Sequence, residues 1–219
     1  RLRTVTGVQT CALPIFSENG LADRTIVLFT SDNGGLATTE GGPTGATFNA
    51  PWREGKGFLY EGGIRVPLIV RWPGVVKPGS VTSVPASSID LFPTLQDACG
   101  LKSDAKFDGV SLVPVLKGGT LEPRPLFWHY PHFSNQGGKP GSAIRFGDYK
   151  LIQFFEDWNR HWEVFDVVKD PSESKNLVQD KAEVAKQLYD KLLAWRQDIG
   201  ARLPTRSEEH TSELQSPYV

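Results

Sequence analysis

Asp32-Asn33-Gly34-Gly35 sets a carboxylate beside an amide oxygen, the hard donors that Ca²⁺ or Mg²⁺ prefers. The two glycines let the backbone turn sharply and come close to a ligand. Further along, Gly55-Lys56-Gly57 holds one ammonium between two glycines, a compact point charge suited to an anionic oxygen. Taken singly, each has a plainer alternative: a tight Asp-Asn-Gly turn and a solvated lysine. A third candidate is His129-Tyr130-Pro131-His132, with two imidazoles three residues apart. Trp128 and Tyr130 beside them could stack on a sugar ring; a loop anchored by aromatics is the alternative.

The elements around these residues must position them. Ile26 to Phe29 is a continuous apolar run, too short for a helix, and predicts a strand buried on both faces of a parallel sheet. Ligands of open α/β sheets bind beyond the carboxyl ends of strands, where Asp32 and Asn33 follow. Leu36 to Trp52 has the glycines and prolines of a long functional loop. Phe48, Trp52 and Phe58 would pack that loop down or line a pocket. Val66 to Trp72 reads as a second strand, with Pro67 at its start. A helix follows from Ser88, with Asp90 as its N-cap and Gly100 as its stop.

Glu122 to Pro125 marks a boundary, beyond which buried runs give way to alternation. Leu126 to Tyr130 is apolar and aromatic, and Ala143 to Phe146, Tyr149 to Phe155 and Trp162 to Val168 predict three short strands. Gly147-Asp148 and Asp157 to Arg160 are expected as turns, and Glu173 to Leu177 as a solvated one. Asp180 to Gln197 predicts an amphipathic helix, with Val184, Leu188, Leu192 and Trp195 facing the sheet. Glu61 and Arg65 are expected to tie their loop to the following strand.

The chain has 219 residues and a net charge of −1, without the basic footprint of a nucleic-acid binder. It lacks the run of about eighteen apolar residues that a membrane span needs. Cys11 and Cys99 have no metal spacing and no disulfide framework. Residues 1–15 and 206–219 match no pattern in the chain between them and are expected to be non-native flanks.

The strand, the Asp-Asn-Gly corner, the Gly-Lys-Gly loop and Tyr60-Glu61-Gly62-Gly63-Ile64-Arg65-Val66-Pro67 occur in fixed order. In this the chain resembles the sulfatase family, in particular its arylsulfatase A-like branch. The resemblance continues through Val84 to Gly100, through Phe107 to Gly119, and in Ala143-Ile144-Arg145 with Tyr149-Lys150-Leu151. It implies an α/β fold: the C-terminal part of an alkaline-phosphatase-like sandwich, its sheet mostly parallel. A small antiparallel sheet covered by a C-terminal helix would be appended to it. Residues 16–122 would belong to the catalytic domain and 123–205 to the C-terminal subdomain.

The resemblance also implies calcium-assisted hydrolysis of sulfate esters by a formylglycine nucleophile. Asp32 and Asn33 would be two calcium ligands, and Lys56 would bind sulfate and stabilise the leaving oxygen. His129 and His132 would contact a sulfated small molecule or glycan. The family's Cys/Ser-X-Pro-X-Arg motif and its upstream aspartates have no counterpart here, so the chain alone is expected to be inactive. By the same resemblance the parent protein is secreted or periplasmic. The competing expectations are a phosphatase or phosphodiesterase of the same superfamily and a non-catalytic glycan-binding module.

Overall fold

The computed structural model describes residues 9–38, 47–156 and 162–204. The expected flank 206–219, residues 1–8 of the other flank, Gly41, Gly42 and Gly45 of the long loop, and the turn Asp157 to Arg160 lie outside the described residues. The elements in chain order are α1 (Gln9–Glu18), β1 (Val27–Thr30), α2 (Glu61–Ile64), β2 (Leu68–Arg71), α3 (Leu91–Ala98) and α4 (Val113–Leu116). They continue with β3 (Leu126–Tyr130), β4 (Gly141–Phe146), β5 (Tyr149–Phe154), β6 (Trp162–Asp166) and α5 (Ala182–Asp198). The described residues divide into two compact units, one within Arg1–Thr30 and Pro67–Glu122, the other within Ser31–Val66 and Pro123–Val219.

In the first unit β1 pairs with β2, from Val27 opposite Arg71 to Thr30 opposite Leu68. This pairing is antiparallel, where a parallel sheet is expected from the apolar run, and β1 is only half-buried. An apolar run specifies an extended segment; strand direction and the number of covering layers depend on what the rest of the chain supplies. At α3 the cap residue is as expected but its side chain is used differently. Asp90 stands at the N-cap position of α3, but its side chain makes no capping bond there; it is the capping-box partner of Ser87 in the 3-10 turn Ser88–Asp90 and accepts the Ser87 N–H at 2.7 Å. The other Asp90 oxygen accepts the Val110 N–H at 2.9 Å, so this buried carboxylate fastens the 107–112 segment to the helix.

The second unit is built on the sheet β3-β4-β5-β6, antiparallel throughout. Period-two alternation gives it two apolar faces. Ile144, Leu151 and Val164 point to one face and meet Ala185, Leu188 and Leu192 of α5, as the helical spacing predicts. Each of the buried Ile, Leu and Val side chains among them contributes about 1.5–3 kcal/mol. Ala143, Ile152 and Phe165 point to the other face, which Phe58, Leu59 and Tyr60 cover. The segment after Lys56 is therefore the second layer of the C-terminal sheet. Residues 31–66 group with that sheet, whereas the sequence assigns them to one domain with the rest of 16–122.

Candidate functional site

The sequence stretch with the best chemistry is held together by backbone packed against backbone. Gly34 N–H donates to Gly63 O at 2.8 Å, which seats the Asp-Asn-Gly corner on the first turn of α2. The approach is so close that a Cβ on Gly34 would lie 1.7 Å from Gly62 O. Lys56 N–H donates to Gly35 O at 3.1 Å, and Gly62 N–H to Arg53 O at 2.8 Å. Asn49 Nδ2 bridges Gly35 O (2.8 Å) and Glu54 O (3.0 Å), closing the knot with a side chain. Only glycine permits such contact, which is why this stretch is glycine-rich beyond the needs of turns.

The knot brings two predicted site elements together. Asp32 is exposed and Asn33 half-buried; Ser31 Oγ donates to Asn33 O at 2.8 Å and shapes the corner. Lys56 is exposed, with no carboxylate partner among the described residues. Asp32 and Asn33 have the oxygen chemistry of calcium ligands, but Ca²⁺ takes about six to eight oxygens. Among the described residues no group of three or more acidic, histidine or cysteine side chains forms a metal site. The pair fits such an ion as part of a larger ligand set.

The loop 131–141 leans on the Gly-Lys-Gly turn. A Cβ on Gly57 would lie 2.3 Å from Ser134 Oγ, and one on Gly138 would lie 1.8 Å from Gly57 O. His132 sits on this loop, exposed, its ring edge-on to Tyr130 at 5.9 Å. His129 does something else. It lies directly opposite Ser142 across β3 and β4, and its Nδ1 is 2.6 Å from Ser142 Oγ. Its Nε2 is 2.7 Å from Arg202 O. A carbonyl can only accept, so Nε2 carries the hydrogen and Nδ1 accepts from the Ser142 hydroxyl. Nδ1 is spent inside the sheet and Nε2 on tying the segment after α5 to it, and neither is left for a substrate.

Burial lowers the His129 pKa below its ordinary 6.5, against the opposing effect of the Arg202 carbonyl. The fold therefore favours the neutral ring. Its contribution to stability is whole above pH 6.5, where the unfolded ring is neutral too, and is lost as the pH falls below that value. NMR titration of His129 should give a midpoint below 6.5; a midpoint above it would contradict the dominance of burial over the Arg202 carbonyl.

The sequence reading does not reach the charges beneath the site. Glu61, expected to tie the loop to the next strand, is buried and reaches β5 instead, its Oε1 3.0 Å from Lys150 Nζ. Its Oε2 is 3.4 Å from the Arg65 guanidinium. Glu173, expected in a solvated turn, is fully buried, with Oε1 2.6 Å from Lys150 Nζ. Burial pushes the Glu173 carboxyl above the usual range, and Lys150 offsets part of that. Asn176 of the same turn accepts the Val164 N–H at 3.0 Å and extends the edge of β6. Tyr60 donates to Glu163 at 2.7 Å under the Arg53 guanidinium, which stands 3.8 Å from the ring centre. One signal was available: Tyr149-Lys150-Leu151 puts a lysine at an inward position of an alternating strand.

A family profile described as N-sulphoglucosamine sulphohydrolase, C-terminal, matches residues 52–198. The chain is 36% identical over 195 residues to a sulfatase of Formosa agariphila, covering 81% of this chain and 34% of that protein. It is 34% identical over 173 residues to an N-acetylglucosamine-6-O-sulfatase of Bacteroides thetaiotaomicron, covering 77% and 29%. It superposes with a TM-score of 0.70 and 30% identity on a protein solved with its substrate D-glucosamine-2-N,6-O-disulfate, covering 84% of this chain and 36% of that one. The chain thus spans about a third of the length of the relatives it matches. On the profile match and these likenesses, the chain belongs to the sulfatase family and carries that family's C-terminal domain.

Proposed function

We propose that the parent protein hydrolyses a sulfate ester, and that this chain supplies Asp32 and Asn33 as two oxygen ligands of its calcium ion and Lys56 as a cation for the sulfate. The observation that carries this reading is the backbone hydrogen bond from Lys56 N–H to Gly35 O, which couples the Lys56 turn to the Asp32-Asn33 corner. When bound, the calcium ion supplies fixed positive charge for the sulfate oxygens. Lys56 would bind a sulfate oxygen and stabilise the negative charge that gathers on the bridging oxygen as it leaves. Its exposed ammonium, without an internal carboxylate partner among the described residues, is available for that task. The nucleophile, a formylglycine by the family resemblance, would come from sequence outside this chain.

The substrate class we propose is a sulfated amino sugar. The N-acetylglucosamine-6-O-sulfatase relative and the structure with a glucosamine disulfate support it. Contact with the sugar falls to His132, on the loop that leans on Gly57, because both His129 nitrogens are engaged by Ser142 and the Arg202 carbonyl. The test uses the chain completed with its N-terminal part, assayed on 6-O-sulfated N-acetylglucosamine and for metal content. Asp32→Ala should lose the bound calcium, read by elemental analysis. Normal calcium in that variant would remove Asp32 from the ligand set.

A further inference from the structure

The buried charges of the second unit are not used by the chemistry proposed above. Lys150 lies on the face of β5 that it shares with Ile152, opposite Phe165 on β6, and is fully buried. Besides its two carboxylate partners, Nζ donates to Leu59 O at 3.0 Å. Glu173 Oε2 accepts the Glu61 N–H at 2.6 Å, and the Glu173 carbonyl accepts from Arg53 Nη1 at 3.3 Å. Each of these contacts joins the sheet unit to residues between Arg53 and Glu61, and Lys56 lies within that segment. Packing alone does not call for them. Burying an ammonium and two carboxylates costs several kcal/mol per ion before pairing, and an apolar side chain would fill the same face with less penalty. What the two directed N–H donors to Leu59 O and Glu61 Oε1 add is a fixed position for their acceptors, with Glu173 held beside them as an ion pair.

We infer that Lys150 and Glu173 are positioning residues for the Lys56 loop, acting through Leu59, Glu61 and Arg53. Phe58, Leu59 and Tyr60 cover an apolar face that by itself would tolerate small shifts; the buried charges fix where the segment sits on that face. Lys56 inherits its place from this anchor and from the glycine knot. The catalytic half of the inference rests on the sulfate role proposed for Lys56; the positional half does not.

Hydrogen exchange on the 219-residue chain tests the positional half. Lys150→Met should speed exchange of the Lys56, Phe58, Glu61, Gly62 and Gly63 amides about tenfold or more, with the amides of β4 and β5 changed far less. Glu173→Gln keeps the side-chain shape and an acceptor for Glu61 N–H while removing the charge, and should act in the same direction. It decides the matter if Lys150→Met does not fold. Leu192→Ala, on the opposite face under α5, is the control for general destabilisation and should leave this loop protected. Loop exchange unchanged in the folded Lys150 and Glu173 variants, or equally fast in Leu192→Ala, overturns the inference. In the completed enzyme Lys150→Met should lower kcat about tenfold with a much smaller change in KM, and Lys150→Arg should recover part of it. An unchanged kcat overturns the catalytic half. If the completed wild type releases no sulfate, the sulfatase reading fails, and hydrogen exchange still decides the anchor.

Discussion

Gly34→Ala should dismantle the corner that carries Asp32 and Asn33. The added methyl would lie 1.7 Å from Gly62 O and 2.7 Å from the Gly62 carbonyl carbon. These are backbone atoms, and no side-chain rotation relieves the clash. Nor can Gly62 retreat freely, since its own Cβ position is 2.2 Å from Glu54 O and 2.3 Å from Arg53 O. The strain must be met by separating the corner from α2 and breaking the Gly34 N–H bond to Gly63 O. Overpacking in a tight site costs about 1–3 kcal/mol, and here a buried backbone hydrogen bond is lost as well, so a cost of about 3 kcal/mol or more is expected. Gly74→Ala is the comparison. Gly74 has a φ of 77° but nothing within 4 Å, so the cost there is backbone strain alone, about 1 kcal/mol. Denaturant midpoints of the two variants measure the difference. A Gly34→Ala chain as stable as Gly74→Ala would show that the knot yields.

Lys56→Ala in the completed protein should slow sulfate release about tenfold or more, the order expected for one lost charge-stabilising donor. Calcium content should stay normal, because the Lys56 side chain is no part of the oxygen set; only its backbone N–H touches the corner. The fold should be unaffected as well, since the ammonium is exposed and makes no ion pair among the described residues. An unchanged rate would remove Lys56 from the site. Glycan binding that survived both Lys56→Ala and chelation of the metal, with no hydrolysis, would favour a binding module over an enzyme.

Local elements are legible in the order of residues alone. Alternation in Ala143–Phe146, Tyr149–Phe155 and Trp162–Val168 marked three strands of the antiparallel sheet, and the spacing of Leu188 and Leu192 marked the helix that covers it. The sequence also singled out the Asp-Asn-Gly corner and the Gly-Lys-Gly turn by their glycines, read there as room for a ligand; the structure shows that Gly34 makes room for backbone. Tertiary structure decided the direction in which β1 pairs, the inward use of His129, and the grouping of residues 31–66 with the C-terminal sheet. It alone revealed that Glu61, Lys150 and Glu173 form one buried cluster. The difference is one of range. Periodicity reports on neighbours a few residues away, whereas Lys150 meets Glu61 across 89 positions and Glu61 meets Glu173 across 112. A lone charged residue reads as solvated until the fold delivers the partner that makes its burial affordable.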